Sequence, residues 1–167
     1  TIPHWADIPA AYLVIVLSEG AAYHVPFLER QPHDYTPNIR HRLESGRYIL
    51  GEDYVRALRG RDVIRAEVDA ALSGVDALLL PGMAIPAPRL GAATVTLDGV
   101  TEPVRSAMLR CTQPFNLSGH PAIVMPCGQT KDGLPTSVQL VGHLNQTSAL
   151  LDLAGIVEAQ LRPLART

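Results

Sequence analysis

The sequence predicts an α/β fold, and three features of its apolar pattern carry that prediction. Residues 52–72 repeat apolar side chains at intervals of three and four, which is typical of an amphipathic helix. Residues 75–80 form a short continuous apolar run closed by a Pro-Gly pair, which favours a fully buried strand. Residues 122–126 and 136–141 are two more strand-like segments, joined by a turn. Helical segments that alternate with strands indicate the α/β class.

The N-terminal elements follow from caps and prolines. A mostly buried helix is expected over residues 10–27, with Asp7 as its cap and Pro9 in its first turn. Residues 31–37 contain two prolines, which exclude a helix interior and predict a loop. Gly74 then stands where the next helix should end, because a left-handed residue commonly closes a helix.

The C-terminal elements are separated by glycine and proline. Residues 82–91 are rich in proline and small side chains and predict an ordered loop. Residues 94–97 precede an Asp-Gly pair, which indicates a short strand and a tight turn. A helix is expected over residues 104–112, and a final amphipathic helix begins at Asn145 or Thr147.

Composition restricts the classes of function. The 167 residues fit a single domain, 1–167, and 47% of them are hydrophobic, which suggests a chain buried on several sides. A net charge of −2 provides no basic field for nucleic acid, so no nucleic-acid partner is expected. Because Ser18, Glu19 and Gly20 break the longest early apolar run, no membrane span is expected either.

The residues that hydrolases use are sparse. The sequence has no G-x-S-x-G motif, no glycine-rich phosphate loop and no metal-ligand spacing, so neither a cofactor nor a metal is expected. Cys111 and Cys127 lack C-x-x-C spacing and are expected to be free thiols, although a Cys–His pair with His120 or His143 stays open. The single lysine, Lys131, lies in a turn-like segment, where it would be too solvated to act as a base.

An ordered set of short motifs resembles the C-terminal part of the amidase signature family, which includes bacterial amidases and the A subunit of glutamyl-tRNA amidotransferase. In chain order, the motifs are the EGAAYH stretch at 19–24, Tyr54, Ala57 and Arg61, DALLLP at 76–81 followed by Ala87-Pro88, NLSGHPAI at 116–123, VMPCG at 124–128, DGLP at 132–135 and QLVG at 139–142. The resemblance runs through nearly the whole chain.

The resemblance implies a fold and an activity. The fold would be the C-terminal half of the amidase-signature mixed-sheet sandwich, with helices on both faces. The activity would be hydrolysis of an amide by a Ser-cisSer-Lys triad in an N-terminal half absent from this chain, which would be inactive alone. Expected partners are a small amide substrate and that N-terminal half or a self-associating copy, in the cytoplasm.

The resemblance implies no catalytic residue here but three substrate-binding ones. Arg61 matches a position that approaches a substrate carboxylate, and Met83 and Ile85 lie in a loop that would wall the acyl pocket. Two other interpretations stay open: a non-catalytic structural or interaction fragment, and the A subunit of a tRNA-dependent amidotransferase.

The chain departs from the family pattern at two places. Gly82 follows Pro81 where the family often has threonine, and Ser137 follows Thr136 where the family usually has glycine after an apolar residue. A small side chain at position 137 suggests that backbones pack closely there.

Overall fold

The computed structural model describes residues 1–161, and it confirms the α/β class. The helices are α1 Ile8–Arg30, α2 Pro37–Gly46, α3 Gly51–Leu72, α4 Val104–Leu109, α5 Gln113–Ser118 and α6 Thr147–Leu161, with 3-10 turns at Trp5–Asp7 and Pro32–Asp34. The strands are β1 Leu78–Pro81, β2 Thr94–Leu97, β3 Val100–Pro103, β4 Ala122–Gln129 and β5 Pro135–Val141. The chain divides into two compact units, Ile2–Ile64 and Thr1 with Arg65–Thr167.

The first unit is helical, and α1 pairs with α2. Helix α1 extends beyond residues 10–27 at both ends and includes Pro26, while Pro9 lies in its first turn as expected. Gly46, the last residue of α2, is buried against Leu17 and Ala21 of α1. A Cβ atom there would overlap the carbonyl oxygen of Leu17 and lie 2.9 Å from the Cβ of Ala21. The pairing therefore requires glycine at position 46.

A hydrogen bond joins α1 to the start of α3. The hydroxyl of Tyr54 donates to Oε1 of Glu19 at 2.8 Å. This bond, burial and the negative charge of Glu19 together raise the pKa of Tyr54, because each favours the neutral phenol. Two separate parts of the family resemblance therefore meet in one contact.

Helix α1 corrects one expectation from the sequence. Ser18, Glu19 and Gly20 do not interrupt it, and the stretch Trp5–Arg30, 26 residues, is long and apolar enough to cross a membrane by length and composition. Only 17% of its most apolar window is buried. Core helices of soluble proteins can have the same length and apolar composition, so these two properties do not by themselves assign a membrane span.

The second unit is built on a three-stranded antiparallel sheet in the order β1-β5-β4. Strand β5 is central, with Leu140 opposite Leu79 on one side and opposite Ile123 on the other. Helix α6 packs on β4 and β5. The buried core between them is formed by Met125, Leu140, Leu150 and Ala154. The amphipathic pattern that predicted α6 thus supplies one layer of the unit.

The opposite face of the sheet is tied to the segment between α4 and α5. Gln139 is 2% exposed, and its Nε2 donates to the carbonyl oxygen of Cys111 at 2.9 Å. Strand partners share a face in a sheet, and Gln139 alternates with Leu140 along β5, so this bond lies on the face away from α6. The turn between α4 and α5 therefore lies on the face of the sheet opposite α6.

Strand β1 is shorter and less buried than the apolar run predicted. It covers Leu78–Pro81, and its side chains alternate between half-buried and exposed, with Leu79 65% exposed. The cause is its position, because β1 is an edge strand of the described sheet and α6 lies over the other two strands. A continuous apolar run shows that a segment is hydrophobic, but it does not show which other elements pack against that segment.

The remaining elements are short. Strands β2 and β3 form a hairpin whose turn residues Asp98 and Gly99 both have positive φ, 48° and 80°, as the Asp-Gly pair predicted. The expected helix over residues 104–112 is shorter in the structure, where α4 ends at Leu109 and a separate helix, α5, begins at Gln113. Helix α5 extends to Ser118, and Gly119 ends it with a φ of 82°.

Replacement of Gly46 should reveal the close contact between α1 and α2. Gly46→Ala is expected to lower the free energy of unfolding by about 2 kcal/mol, since the methyl group meets backbone that cannot move aside cheaply. Gly155→Ala in α6 is the control, because its methyl group meets nothing within 4 Å and should stabilise the helix by up to about 1 kcal/mol. Urea unfolding measures the free energy of unfolding of both variants. An equal gain in stability for Gly46→Ala and Gly155→Ala would contradict the close packing of Gly46.

Candidate functional site

A cleft of about 480 Å³ lies in the second unit where β1 ends and β5 begins. Its volume is within the range of small-molecule pockets. The lining residues are uncharged: Pro81, Met83, Ala84, Ile85, Pro86, Ala87, Pro88, Met108, Pro135, Thr136 and Ser137. The loop that follows β1 supplies most of them, which brings together Met83 and Ile85, the two sequence-predicted pocket residues.

Backbone pairing fixes the position of this loop. The N–H of Gly82 donates to the carbonyl oxygen of Ser137 at 2.9 Å, which extends the β1–β5 ladder by one residue beyond Pro81. Ile85 is 5% exposed, so the middle of the loop is anchored in the protein interior. Met83 is half-buried and more accessible. The loop is consequently a fixed wall with an accessible methionine.

The cleft is large enough for a small molecule, but its lining residues provide no acid–base chemistry. Thr136 and Ser137 contribute hydroxyl groups, yet the eleven lining residues include no His, Asp, Glu, Lys or Cys to remove a proton from them. Cys127 lies beside the lining, with its Sγ 3.6 Å from Oγ1 of Thr136. An apolar group with few polar atoms is the ligand that such a lining suits.

Arg61 belongs to the other unit. It lies on α3, and its Nη2 is 3.2 Å from Oδ1 of the neighbouring Asp62 in a partly exposed ion pair. The bond uses only part of the guanidinium, which carries five N–H donors. The contact with Asp62 therefore leaves donors for a second anion.

A hydrogen-bonded Ser-His-Asp array lies within the second unit. His120 Nδ1 is 2.9 Å from Oγ of Ser118, and its Nε2 is 3.1 Å from Oδ1 of Asp69. Arg65 donates from Nε to the carbonyl oxygen of Ser118 at 2.8 Å. The sequence missed this array because Asp69 lies 51 residues from His120 along the chain.

Burial decides what this array does. The side chain of His120 and all of Ser118 are 0% exposed, whereas the carboxylate of Asp69 is half exposed. A catalytic serine must reach its substrate, and Ser118 reaches only the histidine. The array satisfies buried polar groups and attaches the end of α5 to α3. His120 is therefore a structural residue and no nucleophile partner.

The Cys111 thiol and the single lysine are also unsuited to catalysis. Cys111 is 9% exposed, and its burial raises the pKa of the thiol, an effect that the nearby Arg110 charge partly offsets. Lys131 is exposed in the turn between β4 and β5, as the sequence indicated. Within residues 1–161, no three His, Cys, Asp or Glu side chains cluster as a metal site would require.

Comparison with known proteins gives one consistent result. The family model described as "Amidase" matches residues 1–151. An amidase from Pseudomonas putida is 34% identical over 137 residues, which are 81% of this chain and 29% of that protein. The A subunit of a glutamyl-tRNA(Gln) amidotransferase from Synechococcus sp. (strain CC9902) is 37% identical over 121 residues, 70% of this chain and 24% of that protein.

A solved structure described as that of an amidase superposes with a TM-score of 0.88 at 34% identity. The superposition covers 96% of this chain and 37% of the other. The chain thus spans about a quarter to a third of the length of the relatives that it matches.

His120 provides the test of the buried array. His120→Ala is expected to lower the free energy of unfolding by about 2–4 kcal/mol, since it leaves a cavity and removes the partner of the buried Ser118 hydroxyl. His33→Ala, at an exposed site, should change it by less than about 0.5 kcal/mol. Thermal and urea unfolding distinguish the two, and an unchanged His120→Ala protein would contradict a structural role.

Proposed function

Because the chain belongs to the amidase family, we propose that it acts as the C-terminal portion of an amide hydrolase. The observation that carries the proposal is the cleft beside β1 and β5, which is shaped for a ligand but lined by uncharged groups alone. Such a cleft binds and positions a substrate. The nucleophile, the base and the oxyanion donors would then come from another part of the protein.

The positions of the basic side chains support this division of labour. A lysine or histidine that takes a proton must be close to the nucleophile and shielded enough to have a matched pKa. Lys131 is exposed, and His120 is enclosed by its own partners, Ser118 and Asp69. We infer that residues 1–161 alone hydrolyse no amide, and that the Ser-cisSer-Lys triad implied by the resemblance lies outside them.

Exposed apolar side chains in both units indicate a protein partner. Leu79 on β1 is 65% exposed, and α1 carries exposed Leu13, Tyr23 and Phe27. Exposed apolar side chains on an edge strand and on a helix favour burial against further protein. We propose the remaining portion of the same amidase as that protein, a small amide as the substrate and the cytoplasm as the location.

A second candidate function is that of the A subunit of a tRNA-dependent amidotransferase. The observation that favours it is the 37% identity to a protein of that description. In that case the purified protein would associate with further, different subunits. Native mass measurement distinguishes the two, because a simple amidase needs only its own chain or copies of it.

Met83 tests the pocket assignment. In the complete protein, Met83→Ala is expected to lower kcat/KM about 10–100-fold for amides with a bulky apolar acyl group, since the half-buried thioether contacts that group. Leu90→Ala is the control, because Leu90 is fully exposed in the same loop region and is absent from the lining. Steady-state kinetics measure both, and equal effects would contradict the assignment.

Arg61 tests a different substrate class. If its guanidinium binds a carboxylate, Arg61→Gln should raise KM about 10–100-fold for amides that carry a carboxylate and leave uncharged amides unchanged. Arg56→Gln is a matched control, since Arg56 forms a similar ion pair with Asp53 at 3.0 Å on the same helix. An identical response of both substrate classes to Arg61→Gln would remove Arg61 from the site.

A further inference from the structure

The two positions at which the chain departs from the family pattern, Gly82 and Ser137, are direct neighbours. The ladder bond from Gly82 N–H to the Ser137 carbonyl oxygen places them opposite each other on adjacent antiparallel strands. Opposed residues in such a pair direct their side chains to the same face. The two departures from the family pattern therefore lie at the same place in the structure.

The space there does not hold side chains at both positions unless the surrounding atoms move. A Cβ atom on Gly82 would overlap Oγ of Ser137 and would lie 3.1 Å from Cβ of Ser137 and 3.0 Å from Cγ1 of Val124. Rotation of Ser137 about χ1 could move Oγ away, but neither its Cβ nor the Val124 methyl would move with it. Glycine at position 82 is consequently the condition for a side chain at position 137 in this conformation.

Ser137 is one of the residues that line the cleft, and its Oγ lies beside Gly82. Among residues 1–161 it has no hydrogen-bond partner, whereas the adjacent Thr136 hydroxyl contacts Cys127. The remaining wall is made of proline, alanine, methionine and isoleucine side chains. Ser137 thus presents a free donor and acceptor within an otherwise apolar and uncharged surface.

We propose that Ser137 is a specificity-determining residue whose hydroxyl binds one polar, uncharged atom of an otherwise apolar substrate group, and that Gly82 makes its position possible. This inference rests on the proposed amide hydrolysis. The substrate class is an uncharged amide whose acyl or amine part is apolar except for one hydroxyl, ether or carbonyl oxygen. A carboxylate or ammonium group is disfavoured, because the lining has no countercharge and desolvation of an unpaired charge is costly.

The geometric part is tested by a double-mutant cycle. Gly82→Ala should raise the unfolding equilibrium constant about 5–100-fold, since the new methyl group overlaps Ser137. Ser137→Gly in the same protein should recover part of that loss, because Oγ and Cβ of Ser137 are then gone while Cγ1 of Val124 still lies 3.0 Å from the new methyl group. Additive effects of the two substitutions would overturn the coupling between the positions.

The functional part is tested with the complete protein and matched substrate pairs. Each pair consists of an amide with a terminal hydroxyl or ether on its apolar group and the analogue with a methylene or methyl in its place. Ser137→Ala is expected to lower kcat/KM about tenfold for the oxygen-bearing amide and to leave the analogue nearly unchanged. Ser106→Ala, at an exposed serine on α4 outside the lining, should change neither.

The outcomes distinguish the role of Ser137 from the proposed amide hydrolysis. If Ser137→Ala changes kcat/KM equally for both substrates of a pair, the proposed role of Ser137 is overturned. The proposed amide hydrolysis is unaffected by that result. A preference for carboxylate-bearing amides would overturn the proposed substrate class. No hydrolysis of any amide by the complete protein would overturn the proposed function, and this inference with it, while the stability cycle would still report on the Gly82–Ser137 contact.

Discussion

The central position of β5 is the constraint on which the second unit depends. One short strand, Pro135–Val141, pairs with β1 on one edge and with β4 on the other. The pairing brings the end of β1 to a segment more than fifty residues later in the chain. Alternation along β5 then assigns Leu140 to the core under α6 and Gln139 to the opposite face. A register shift by one residue would exchange those faces and bury the wrong side chains.

The position and the walls of the cleft follow from that strand pairing. Because the ladder continues to Gly82, the loop after β1 leaves the sheet at a fixed place and direction beside the first residues of β5. Its wall is rigid where Ile85 is buried and accessible at Met83. Rigid apolar walls with few polar atoms select by shape and by single hydrogen bonds, which is why one serine can matter in such a site.

Polar residues that resemble catalytic ones have a different task in this chain. Ser118, His120 and Asp69 are hydrogen-bonded in the order of a hydrolase triad, but the serine is enclosed. Their satisfied bonds, with that of Arg65, hold the turn before β4 against α3. These three side chains therefore support the fold, and the superposed amidase structure is matched over only about a third of its length.

The sequence by itself determined the local structure and the family. Helix periodicity located α3 and α6, the Asp-Gly pair located the β2–β3 turn, and the ordered motifs identified the relationship, because each of these depends on neighbours close in the chain. Tertiary structure alone decided the exposure of Leu79 and the Asp69–His120 contact. It alone also showed that a side chain at position 82 would crowd Ser137. Each of these depends on residues brought together from distant segments, and spacing along a single sequence does not encode which atoms then share a volume.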